Sequence, residues 1–291
     1  MGATHFDRSL LPPADFEFVV IGDTHYIRDP EIYASGSDSQ DPRYTREWPA
    51  RAEHAFELAA ALEPAFVVHL GDLAQEFPGT GNFAVSRQEA RAQIQRHGLK
   101  PHHLPGNMDI GDKPNLTVPA PWVRPQDIAE WHEQFGRSWF SFDHKGVHCI
   151  GLNTQIMGGP LPEAQEQKDW LEEDLADNAG KRIFLFLHMP PFFVDEDEPG
   201  FGSYNCLDEG PRAWLLALIR QYKVELLCSG HTHFAAYNRI DDTRFFVVPS
   251  TTTSRPGFNE VFPILPDHRG KNDLDKLGFY LARVFEDGVQ M

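Results

Sequence analysis

The sequence predicts an α/β fold, and two observations carry that prediction. Short apolar runs of strand length alternate with segments whose apolar residues fall at helical spacing. Five of the apolar runs end abruptly in glycine, aspartate, asparagine or histidine. In open α/β sheets, ligands bind outside the carboxyl ends of strands. At 291 residues and 41% hydrophobic content the chain has enough apolar mass for a large core. We read 1–291 as a single domain, with an N-terminal arm at 1–15 and a polar, proline-containing excursion at 251–276.

In chain order, Phe16 to Ile21 is the first strand, closed by Gly22-Asp23-Thr24-His25. Residues 26–48 are rich in Asp, Ser, Gly, Pro and Arg and read as a long loop facing the substrate; Arg28, Arg43 and Arg46 in it are ordinary surface arginines or phosphate contacts. Pro49 to Leu62 is a helix stopped by Pro64. Phe66 to Leu70 is a strand ending in Gly71-Asp72. Val85 to His97 is a helix ended by Gly98, and His102 to Leu104 is a short strand leading to Pro105-Gly106-Asn107-Met108-Asp109. Lys113 to Pro125 is irregular, and Asp127 is placed to cap a helix running to Phe135. Trp139 to Asp143 and Val147 to Leu152 bracket His144-Lys145-Gly146, a hairpin signal. Pro162 to Ala179 is a charged helix, and Ile183 to Leu187 is a strand ending in His188. The acidic stretch 194–208 is a surface loop or a lid. Pro211 to Tyr222 is a helix, Val224 to Cys228 a strand, and Ala235 to Ile240, Phe245 to Pro249 and Gly278 to Glu286 are the closing strands.

Gly230-His231-Thr232-His233, after the strand to Cys228, reads as a metal-holding loop: the glycine permits a sharp turn, and neutral imidazole suits Zn, Mn, Fe, Co or Ni. Taken singly, Asp23, Asp72, Asn107 or His188 is a turn residue as readily as a ligand. All of them at strand ends, in chain order, make one site the better account.

Asp-x-His, Gly-Asp, Gly-Asn-x-Asp, His and Gly-His-x-His in this order resemble the calcineurin-like metallophosphoesterase superfamily over about Phe16 to Val248. Gly106 to Gly111, Trp139 to Phe142 and Glu163 to Leu171 are similar to cytosolic calcineurin-like phosphoesterases and class III cyclic-nucleotide phosphodiesterases. The resemblance implies a four-layer α/β/β/α sandwich, two mixed sheets face to face with helices outside. It also implies two divalent transition-metal ions, with Mn, Fe or Zn foremost. Asp23, His25 and His233 would hold one ion, Asn107, His188 and His231 the other, and Asp72 would bridge them. Asp72, Asn107, Asp109 and His231 are the expected catalytic residues. Two dications against two carboxylates and one bridging hydroxide, the expected nucleophile, leave a residual positive charge that attracts a phosphate ester. Gln75 stands where purple acid phosphatases carry a tyrosine ligand, so their iron–tyrosinate chemistry is not expected.

Met108 departs from the family, which usually has histidine there to protonate the leaving group or steady the transition state; Asp109, which would orient it, is present. Methionine does neither job. Another group supplies the proton, or the substrate has a good leaving group, or the protein has become a catalytically weak metal-binding scaffold. We expect a phosphoesterase for a small phosphate ester, with a phosphodiester ahead of a phosphomonoester or a phosphoprotein and with a preference for good leaving groups.

Composition narrows the partners. A formal net charge of −17 argues against a nucleic-acid polymer or an anionic membrane as partner. No apolar run approaches the ~20 residues of a membrane-spanning helix. No signal peptide is evident at the N-terminus, and Cys149, Cys206 and Cys228 read as buried apolar residues, so the expected location is the cytoplasm. The sequence leaves the oligomeric state open.

Overall fold

The computed structural model describes residues 10–30, 45–114, 121–198, 204–254 and 276–291. Among them, two sheets are built from strands β1 (Phe16–Ile21), β2 (Val67–His69), β3 (His102–His103), β4 (Phe140–His144), β5 (Val147–Leu152), β6 (Arg182–Leu187), β7 (Leu226–Ser229), β8 (Ala236–Ile240), β9 (Thr243–Val247), β10 (Tyr280–Phe285) and β11 (Gly288–Gln290). The first sheet has the order β11-β10-β1-β2-β3 and the second β4-β5-β6-β7-β9-β8. In the first, β1, β2 and β3 run parallel, with β10 antiparallel at the side of β1. In the second, β5, β6, β7 and β9 run parallel between antiparallel β4 and β8.

Alternation along each strand builds the layers. Phe18 and Val20 of β1 pack with Cys149, Phe184, Phe186, Leu226 and Cys228 of the second sheet, which makes a sheet-on-sheet core. Val19 and Ile21, of opposite parity, face helices α1 (Trp48–Ala61) and α2 (Phe83–Arg96) through Ala52, Phe56, Ala90 and Ile94. On the far side, Ile183, Leu185 and Leu187 meet Leu171 of α5 (Pro162–Asp177) and Leu215 of α6 (Glu209–Tyr222). Each such side chain, fully buried, contributes about 1.5–3 kcal/mol. Between α2 and α5 lie α3 (Asn107–Ile110) and α4 (Pro125–Phe135). Two mixed sheets packed face to face with helices outside is the expected four-layer sandwich.

The differences from the sequence reading have local causes. Asp127 does not cap α4: Pro125 opens the helix, and Asp127 lies in its first turn, paired with Arg124 at 2.7 and 2.8 Å. The short turn α3 and the last strand β11 were not read from the sequence. Thr251 to Ser254 are buried, so the excursion expected from 251 begins inside the protein; residues 255–275 lie outside the described residues, as does Arg43. Arg28 pairs with Glu89 at 2.6 Å. The three cysteines are buried thiols, and burial pushes Cys149 and Cys228 up. Among the described residues no helix is long and apolar enough to cross a membrane.

Candidate dinuclear metal centre

The loops after β1, β2, β3, β6 and β7 converge where the ends of the two sheets meet. Backbone bonds lock neighbouring loops together: Asp23 N–H donates to Gly71 O at 2.9 Å, His25 N–H to Asp72 O at 3.0 Å, and Gly230 N–H to His188 O at 2.8 Å. The two sheets are tied by His231 N–H, which donates to both Asp23 carboxylate oxygens at 3.0 Å. The loops touch so closely that a Cβ on Gly106 would lie 2.1 Å from Asp72 Oδ1, and one on Gly230 would lie 2.4 Å from Asp23 Oδ2.

This convergence brings together all seven residues expected to hold metal. Asp23, His25, Asp72 and His233 offer donor atoms within 4.8 Å of one another, and so do Asp72, His188 and His231. Asp72 belongs to both groups, one oxygen to each: Oδ2 lies 3.6 Å from His25 Nε2 and Oδ1 lies 3.6 Å from His188 Nε2. Asn107 joins the second group, its Oδ1 at 3.1 Å from both His188 Nε2 and His231 Nδ1. All seven are buried. Five of them, Asp23, His25, Asp72, His231 and His233, have positive φ, between 41° and 70°. Non-glycine residues adopt that conformation reluctantly, and such strain gathers at functional sites.

Proton positions decide what these atoms can bind. His188 donates its Nδ1 hydrogen to Leu70 O at 2.9 Å, which leaves a lone pair on Nε2. His231 donates its Nε2 hydrogen to Tyr204 O at 2.8 Å, which leaves a lone pair on Nδ1. Asn107 donates its amide Nδ2 to Tyr204 Oη at 3.2 Å, and its Oδ1 lies on the inner side, toward His188 and His231. Three lone pairs therefore point at one another with 3.1–3.2 Å between the atoms. In the first group, His25 Nε2 faces His233 Nε2 at 2.8 Å beside two carboxylates. Converging acceptors of this kind, fixed in tautomer by outer backbone carbonyls, suit cations.

The electrostatics agree. Burial drives Asp72 well above the usual carboxylate range, and the charges of Asp23 and Asp109 push the same way. Burial works to raise Asp23 also, but the hydrogen bond and charge of His233, with the charges of His188 and His25, hold it below its usual value. Burial lowers His25 and His188, as the neutral imidazole of a metal ligand requires. A buried carboxylate crowded by two others, as Asp72 is, calls for positive charge.

Behind these residues lies a bracing shell, of which the sequence pointed to Asp109 but in another role. The Asp109 carboxylate accepts from Asp72 N–H (2.7 Å) and Gly106 N–H (2.8 Å) on Oδ2 and from Leu73 N–H (3.2 Å) on Oδ1. It joins the β2 and β3 loops through backbone groups rather than orienting the side chain at 108. Met108 is buried, and its N–H donates to Asp72 Oδ1 at 2.9 Å. His69 accepts Gly71 N–H on Nδ1 and meets Thr24 Oγ1 through Nε2; burial lowers it to about 3, so it stays neutral. Ser250 Oγ donates to Asp23 O at 2.6 Å. Nothing in the sequence marks Thr24, His69 or Ser250, because Thr24 and His69 meet each other, and Ser250 meets Asp23, only through folding.

A sequence model of the family described as Calcineurin-like phosphoesterase matches residues 16–235. The chain is 28% identical over 202 residues to the serine/threonine-protein phosphatase CPPED1 of Danio rerio, a match covering 64% of this chain and 61% of that protein. It therefore spans less than two thirds of the length of the curated relative. In structure it is similar to a dimetal phosphatase from Danio rerio, with a TM-score of 0.63 and 13% identity over 94% of each chain. It is also similar to the purple acid phosphatase PPD1 from yellow lupin, with a TM-score of 0.60 and 17% identity over 94% of this chain and 50% of that one. At such identities the structural likeness speaks for the fold.

Proposed function

The chain belongs to the calcineurin-like phosphoesterase family, and from that premise we propose that it is a metal-dependent hydrolase of phosphate esters. The observation that carries this reading is Asp72, a buried carboxylate with one oxygen toward each of two groups of converging donors. Asp23, His25 and His233 would hold one divalent ion with Asp72, and Asn107, His188 and His231 the other. Mn, Fe and Zn all suit such a nitrogen and oxygen donor set. When bound, a pair of ions supplies activated water at neutral pH and charge to neutralise the phosphoryl oxygens. The protein's own part is to hold His25 and His188 neutral, to keep the donors dry and to fix two tautomers.

A small phosphate ester is the substrate class we favour, since Tyr204 lies against Asn107 and His231 of the second group of donors. A phosphodiester comes first, because it carries less negative charge toward a chain of net charge −17. The name of the Danio rerio relative supports a second reading, a phosphomonoester carried on serine or threonine of a protein. Met108 points to good leaving groups within either class, because a methionine cannot hand a proton to a departing alkoxide. Hydrolysis of bis(p-nitrophenyl) phosphate and p-nitrophenyl phosphate by Mn²⁺-loaded protein tests this. A larger kcat/KM on the diester supports the first reading, a larger one on the monoester the second. No turnover of either would leave a metal-binding scaffold. Met108→His is expected to speed poor leaving groups more than good ones; equal acceleration of both would remove the leaving-group reading.

A further inference from the structure

Tyr204 touches two candidate ligands at once. Its Oη accepts from Asn107 Nδ2 at 3.2 Å, its carbonyl accepts from His231 Nε2 at 2.8 Å, and its ring lies 4.7 Å from the His231 ring. The stretch that follows is fastened from two sides. The Lys113 ammonium, 2% exposed, donates to Cys206 O and to Asp208 Oδ1, each at 2.7 Å. Leu207 N–H donates to Pro190 O at 3.0 Å, two residues beyond His188. Lys113 follows the Gly106–Gly111 turn that carries Asn107 and Met108. The phenol hydroxyl is therefore held one hydrogen bond from the amide of Asn107, the residue that precedes Met108 in the chain.

We propose that the Tyr204 hydroxyl donates a hydrogen bond to a non-bridging oxygen of the bound phosphate ester, supplying the charge stabilisation that Met108 cannot. The proposal rests on the phosphoesterase reading above. A hydroxyl accepts and donates together, so the bond from Asn107 and the bond to phosphate are compatible. A donor fixed against developing charge is an effective way to lower a phosphoryl-transfer barrier.

The test is Tyr204→Phe in the full chain, beside wild type, with three readouts: Mn²⁺ bound per chain, calorimetric affinity for inorganic phosphate, and hydrolysis of p-nitrophenyl and phenyl phosphate. The variant is expected to keep the wild-type Mn²⁺ content and to bind phosphate on the order of 10–100-fold more weakly, as losing a hydrogen bond to a charged group implies. Both esters should slow by a similar factor. Unchanged phosphate affinity would overturn the proposal. Loss of Mn²⁺ would also overturn it, by showing that Tyr204 merely positions Asn107; so would a loss confined to phenyl phosphate, which would place the hydroxyl on the leaving group. Lys113→Met, which unfastens the stretch but leaves the phenol, should weaken phosphate binding, and adding it to Tyr204→Phe should weaken it no further. Additive losses in the double variant would contradict the assignment. Wild type that neither takes up Mn²⁺ nor turns over either ester would sink the phosphoesterase reading itself, whatever the variants do.

Discussion

Left-handed backbone at Asp23, His25, Asp72, His231 and His233 sets the residue-scale problem. Each such residue costs about 1–2 kcal/mol relative to ordinary helical or extended backbone, so something must hold it. For Asp72 the holder is Asp109, whose three backbone hydrogen bonds fix the turns on both sides of it. Asp109→Asn replaces one acceptor oxygen by a donor facing an N–H. We expect Mn²⁺ affinity to fall about 10–100-fold, the usual scale for removing a group that supports a ligand. A titration giving wild-type affinity would show that the turns hold themselves. Gly106→Ala tests the close approach of the same loops. Its Cβ would meet Asp72 Oδ1 and, at 2.7 Å, His188 Cε1, so the donors must separate. Overpacking of this kind costs about 1–3 kcal/mol, and we expect both a lower Tm and lost Mn²⁺ binding. Wild-type values of both would contradict the geometry.

At the scale of elements, strand ends aim the site and surface pairs hold the strands. On the β4–β5 hairpin, His148 bridges Asp143 at 2.7 Å and Asp174 of α5 at 2.8 Å, while Lys181 also pairs with Asp143 and Ser141 donates to Asp174. Burial alone would lower His148, but the hydrogen bonds to Asp174 and Asp143 win and raise it above 6.5. A raised folded value means that protonated His148 stabilises the fold below the unfolded value, and that this contribution is lost as pH climbs through the folded value. The stability lost in His148→Gln should therefore be larger in urea unfolding at about pH 5.5 than at about pH 8.5; a loss independent of pH would refute the bridge. Strand and helix existence was legible where apolar runs were long: β1 falls on Phe16–Ile21 as read. The short β11 was not, because its three residues, Gly288 to Gln290, carry too little pattern. Asp127 misled because Pro125 can start a helix without a side-chain cap. The seven donors were legible because each follows a strand. Thr24, His69, Lys113, Tyr204 and Ser250 were not, since their partners lie between 27 and 227 residues away, apart from the shorter reach of His69 to Gly71.

For the whole molecule, crowded buried carboxylates and strained loops make the fold's stability depend on what neutralises them. Binding of each ion to the native state alone adds about 2.7 kcal/mol at a concentration of 100 Kd. Mn²⁺ is therefore expected to raise Tm by several degrees and a chelator to reverse the rise; a Tm indifferent to both would contradict the charge argument. The acidic surface acts at longer range, and its repulsion of anions is screened by salt. The central claim is that two ions share Asp72. Calorimetric titration of Mn²⁺ into metal-stripped wild type and Asp72→Asn, with hydrolysis of bis(p-nitrophenyl) phosphate followed on the same samples, tests it most directly. Two ions per wild-type chain are expected, with turnover that appears as they fill and loss of both in Asp72→Asn. A single ion in wild type, or full Mn²⁺ occupancy and undiminished turnover in Asp72→Asn, would contradict it.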